Sequence, residues 1–143
     1  MKYTVPQNSA LRPLVGKGLL SAFCFLMVLT VFATPLESKT LHLEKAYQTK
    51  WCDQAGGKME VRLDDATRVD CLTEEYAIEF DFGKKWAESI GQALHYSVKT
   101  GRQGGIVLIL EHEKDLKYWD RLNNIIEKKN LNIKTWIMRP EDL

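Results

Sequence analysis

The run "GGIVLILE", residues 104–111, limits what this chain can fold into more than any other stretch. It is almost continuously apolar, so a strand made from it has no wet face. Such a strand reads as buried on both sides, in the manner of a central parallel strand. A parallel neighbour requires a crossover, and a sheet buried on both sides requires helices over each. The flanking sequence supplies them. Residues 84–101, "KKWAESIGQALHYSVKTG", read as a helix closed by Gly101. Trp86, Ile90, Ala93 or Leu94, and Val98 or Ser97 form its apolar side. Residues 113–130, "EKDLKYWDRLNNIIEKKN", are amphipathic, with Leu116, Trp119, Leu122 and Ile126 inward.

Upstream, residues 41–57 read as a helix with Leu43, Ala46, Tyr47 and Trp51 at helical spacing and Gly56-Gly57 as its stop. Three short strands follow: "KMEVRL", "RVDCLT" and "YAIEFDF", the first two separated by the turn "DDAT". "NIKTWIM" is a last strand, able to serve as an edge that pairs between chains, although nothing in the sequence demands an oligomer. The order α-β-β-β-α-β-α-β makes the class α/β, with a mixed sheet flanked by helices.

The amino terminus has a different character. Lys2, Arg12 and Lys17 precede the uncharged run "GLLSAFCFLMVLTVFA", residues 18–33, which ends on a small residue. That is the pattern of a secretory signal cut after Ala33, or of an uncleaved anchor held in the inner membrane by residues 18–33. Either places the rest on the non-cytoplasmic side, periplasmic or membrane-tethered. Met27 as the true start would instead leave a cytosolic protein. Residues 34–40 read as a linker and 41–143 as one domain. Residues 1–33 hold no acid, so the remainder carries 17 basic against 19 acidic side chains. A weakly acidic domain is no indiscriminate binder of polyanions.

Outside the apolar run the only cysteines are Cys52 and Cys71. In an oxidising compartment they are candidates for a disulfide, and otherwise for two small buried residues. Two cysteines and three histidines without ligand spacing do not make a zinc site.

Period-two alternation puts Glu79 and Asp81 on one face of the third strand, opposite Ile78, Phe80 and Phe82. The hairpin before it brings Asp70 alongside Glu79. Three carboxylates at one end of a sheet repel one another, and an oxygen-preferring cation such as Mg²⁺ or Mn²⁺ would relieve them. On the next helix, Lys85, Glu88, Gln92 and Tyr96 form a single stripe. Acids, a lysine and a divalent ion suit hydrolysis of a phosphodiester. The plain alternatives are a solvated strand face and the wet side of a helix. Glu60 reads equally well as an exposed strand residue, and Lys84 as solvated.

Asp70 on the second strand, "IEFDF" on the third and "GQALHY" on the following helix resemble the PD-(D/E)XK, restriction-endonuclease-like nuclease superfamily. The last matches the Gln-x-x-x-Tyr motif of its RecB-like exonuclease branch. The resemblance spans about residues 41–137 and rests on short motifs in the right order. It implies a nuclease, acting on DNA by preference, with Asp70 and Glu79 as metal ligands, Asp81 as an auxiliary acid, and Gln92 and Tyr96 contacting the nucleic-acid backbone. Glu44 would be the extra acid some members carry on the first helix. The family places a lysine two residues after the acid, where this chain has Asp81. Lys85, with Lys84 second, is the candidate for a migrated lysine. A nuclease-like fold without catalysis, binding nucleic acid or a cell-envelope partner, is the rival expectation.

Overall fold

A computed structural model of the chain describes residues 40–143, and the expected targeting segment and most of the linker lie outside the described residues. The elements in order are α1 (Glu44–Gln54), β1 (Lys58–Arg62), β2 (Arg68–Leu72), β3 (Tyr76–Phe82), α2 (Trp86–Thr100), β4 (Gln103–Ile109), α3 (Leu116–Lys128) and β5 (Ile133–Met138). Short 3-10 turns lead into α2 and α3 and follow β5. The five strands form one mixed sheet in sequence order. β1, β2 and β3 make an antiparallel meander, while β4 and β5 add in parallel. The α/β class with a mixed sheet therefore stands.

Both faces of the sheet are covered. On one, Tyr47 and Cys52 of α1 pack with Ile78, Phe80, Val107, Ile109 and Met138. On the other, Ala93 of α2 and Leu122 and Ile126 of α3 pack with Ile106, Leu108 and Ile133. Alternate residues of β4 thus enter different clusters, which is why its sequence has no polar face. Each fully buried aliphatic or aromatic side chain contributes about 1.5–3 kcal/mol. Cys52 and Cys71 are joined in a disulfide that ties α1 to β2, with their Cα atoms 5.8 Å apart.

Two glycines matter for how α2 sits. Gly101 ends the helix in the left-handed region (φ 68°), its N–H bonding to the Ser97 carbonyl. Gly104 lets β4 approach closely: a Cβ there would stand 2.7 Å from the Ala93 carbonyl oxygen. The face that α2 turns inward differs in detail from its apolar pattern. Ser89, Ala93 and Tyr96 are buried, whereas Leu94 and Val98 are exposed, Val98 by 81%. Tyr96 packs with Val69 and Ala77 and displaces the inward side towards the polar stripe.

Candidate functional site: a buried carboxylate cluster

β3 is the strand at which the sheet changes from antiparallel to parallel pairing. Its middle is buried on both faces, so Glu79 and Asp81 are not on a solvated side: they are 5% and 2% exposed. Such depth is unusual for ionisable groups, which are seldom buried without a partner.

Asp70 reaches the same place because β2 and β3 stop pairing there. The ladder runs through Leu72–Ala77 and Cys71–Ile78. One step further, the Phe80 N–H donates to Asp70 Oδ2 at 2.8 Å instead of to a backbone carbonyl. Asp70 thereby stands next to the residue between Glu79 and Asp81, at the mouth of the parted strands.

Glu44 enters from the first turn of α1, half-buried, with its Oε1 accepting from Gln48 Nε2 at 3.2 Å. Gln48 is itself buried and one helical turn on, so it orients the carboxylate. From the start of the α2 region, Lys85 Nζ comes within 3.4 Å of Asp81 Oδ1. Lys84 is exposed, and the amine that meets Asp81 belongs to Lys85. Farther along α2, Gln92 Nε2 donates to the Tyr96 hydroxyl at 3.5 Å, and that hydroxyl faces Glu79.

The electrostatics follow from burial and like charge. Desolvation, and then the Asp70, Asp81 and Glu44 charges, push the Glu79 carboxyl far above the usual range. Asp70 is also raised, chiefly by burial, although its bond from Phe80 N–H pulls the other way. Asp81 is pushed up to about 7 by desolvation, against the pull of Lys85. Burial and the Asp70 charge raise Glu44, and the Asp81 charge raises Lys85. Burial, with the Glu79 charge second, takes Tyr96 to about 12. Burial and mutual repulsion thus raise both carboxyls of the Asp70–Glu79 pair and disfavour its doubly ionised form.

Among the described residues, no group of three or more His, Cys, Asp or Glu side chains is posed to hold a metal ion. Mg²⁺ asks for less, because it keeps most of its waters and binds through one or two carboxylates. Glu79 Oε2 is buried without any hydrogen-bond partner. Leaving such an oxygen unsatisfied costs about 1–3 kcal/mol or more. A partnerless oxygen beside a second carboxylate fits a hard divalent ion in its donor chemistry.

A cavity of about 310 Å³ lies elsewhere, lined by Trp51, Ala55, Thr73, Glu74, Glu75, Tyr76 and Trp136. It opens at the Tyr76 end of β3 and contains none of the clustered acids. Two further features of the acid site have little signature in the sequence. Gln48 was findable only as the residue four after Glu44. Glu60, between the paired positions Met59–Cys71 and Val61–Val69, is opposite Asp70 on β1 and adopts φ 58°. Nothing in "KMEVRL" announces a left-handed residue.

The fold and site define an α/β domain with a buried carboxylate cluster at a strand parting. No protein-family model matches the chain, and no curated protein and no solved structure matches it significantly.

Proposed function

We propose that the domain is a divalent-metal-dependent phosphodiesterase, a nuclease of restriction-endonuclease-like type acting on DNA. The observation that carries this reading is the buried, partnerless Glu79 Oε2 beside Asp70. Asp70 and Glu79 would hold Mg²⁺ or Mn²⁺, which supplies a water of lowered pKa and stabilises charge on the phosphate. Lys85 reaches the site from the α2 side and would position that water, with its amine kept cationic by Asp81. Gln92 and the Tyr96 hydroxyl it bonds would brace the Glu79 side of the site or meet the phosphate. Glu44, held by Gln48, adds charge that favours the cation.

One observation favours a second reading. Asp81 stands where the resembled family has lysine, and it engages Lys85 in an ion pair. A domain so paired would bind nucleic acid or an envelope partner without cleaving. As for compartment, the disulfide supports export, since such bonds persist in oxidising surroundings. Among the described residues, no helix is long and apolar enough to cross a membrane.

Incubation of the full-length chain with linear and nicked DNA, in Mg²⁺ or Mn²⁺, separates the readings. Cleavage lost in Glu79→Ala and lowered about 10²- to 10⁴-fold in Lys85→Ala is the expected result for a positioned acid–base group. Cleavage that is absent with both metals, or equal in Glu79→Ala, rejects the enzyme.

A further inference from the structure

Beside the acid cluster, two cations are held by a carboxylate in an unusual backbone conformation. Lys45 Nζ, on the first turn of α1, lies 2.9 Å from Glu60 Oε1. Arg68 Nε, two residues before Asp70, lies 2.5 Å from Glu60 Oε2. That second contact is an ion pair without hydrogen-bond alignment, because Glu60 Oε2 is buried and makes no hydrogen bond. Glu60 also has φ 58°, in the left-handed region that costs a non-glycine residue of order 1 kcal/mol. Its charge is felt by both Glu44 and Asp70, so the group borders the cluster. The chain thus keeps a carboxylate between an ammonium and a guanidinium at the rim of the site, at a backbone cost and with one oxygen poorly served.

An ammonium beside a guanidinium is the donor set that takes a phosphate, the guanidinium as a fork and the ammonium as a point charge. We propose that Lys45 and Arg68 form an anion subsite for a backbone phosphate of the substrate, and that Glu60 fills it in the free protein as an internal stand-in. This rests on the phosphodiesterase reading and names its substrate-positioning residues. The incoming phosphate displaces the Glu60 carboxylate, which swings to solvent. Lys45 and Arg68 side chains are 51% and 63% exposed, so both are reachable without opening the fold. The subsite also answers how a domain of weakly acidic balance would hold a polyanion: the two cations next to the carboxylates are masked until the strand arrives.

The test measures binding apart from cleavage. A fluorescent single-stranded oligonucleotide is titrated with full-length protein in EDTA, from 50 to 200 mM salt. Compared are the wild type, Glu60→Gln, Glu60→Gly and the double variant Lys45→Ala/Arg68→Ala. Glycine accepts positive φ, so Glu60→Gly removes the carboxylate without straining the strand. Expected are a roughly tenfold gain in affinity for both Glu60 variants, the scale of one charge-assisted hydrogen bond, and a log–log salt slope steeper by about 0.7. The double variant loses affinity and flattens the slope. Affinity and slope that stay at the wild-type values in both Glu60 variants, or in the double variant, overturn the proposal even if the wild type cleaves DNA. If the wild type neither binds nor cleaves oligonucleotide, the phosphodiesterase reading has failed, and inorganic phosphate becomes the probe by ³¹P line broadening. Broadening by Glu60→Gln that is lost when Lys45→Ala/Arg68→Ala is added supports the anion subsite. No broadening overturns it.

Discussion

Asp81→Asn tests the electrostatic account of the cluster without any substrate. Asp81 is 2% exposed and its carboxyl is held at about 7, against an ordinary value of 3.8. A carboxyl raised on folding takes up a proton as the chain folds. Its contribution to stability is complete below the unfolded value and is lost as pH rises through the folded one. A tenfold change in proton affinity is worth about 1.4 kcal/mol, so the rise on folding amounts to about 4 kcal/mol for Asp81. Between pH 5 and pH 7 the part that falls away is about 2–3 kcal/mol. Glu79 and Asp70 are displaced in the same direction and add to the decline. Asp65 has the opposite sign, held down at about 2 first by the Thr67 hydroxyl, but its window lies below the ordinary aspartate range. Lys85 has lost nothing until pH approaches its own raised value, above 10.5. Asparagine is close to aspartate in shape and has no proton to exchange. Urea unfolding in EDTA at pH 5, 6, 7 and 8, with the disulfide intact, should show wild-type stability falling as pH rises. Asp81→Asn should fall by about 2 kcal/mol less from pH 5 to pH 7. An Asp81→Asn curve parallel to wild type, or a wild type that gains stability across this range, refutes the reasoning.

Two further outcomes bear on the scaffold. The Cys52–Cys71 link closes a loop with a sequence separation of 19, so Cys52→Ser/Cys71→Ser should lose about 3 kcal/mol in urea unfolding. Two thiols should appear on reduction of the wild type, and an unchanged midpoint in the double variant counts against a stabilising role. Gly104→Ala would set a methyl against the Ala93 carbonyl. Thermal melts should show a loss of about 1–3 kcal/mol, and a change within 0.5 kcal/mol, taken as roughly the noise of a neutral substitution, would mean that α2 can shift away from β4.

Much of the architecture is legible along the chain because local patterns encode it. The unbroken apolar run of β4 requires cover on both sides, and the alternation in "YAIEFDF" separates Phe80 from Glu79 and Asp81. The hairpin register carries Asp70 towards Glu79. Helical spacing puts Glu44 with Gln48 and Gln92 with Tyr96. Within β3 and within each helix, sequence separation alone determines which side chains share a face.

What those faces meet is decided only by tertiary structure. The same alternation suits a wet strand face, yet α2 lies over it and leaves Glu79 and Asp81 almost without solvent. Leu94 and Val98 have the spacing of core residues and are left outside, because Tyr96 takes the inward position. The parting of β2 from β3 depends on an aspartate replacing a carbonyl as acceptor for Phe80, and Glu60 enters the left-handed region in a strand-like sequence. The sequence by itself determined which residues share a face and hence the α/β layering, since strand and helix periods are properties of neighbouring residues. Only the packed fold decided which charges are stripped of water and which partners they meet, since desolvation and Coulomb energy depend on every element that closes over the site.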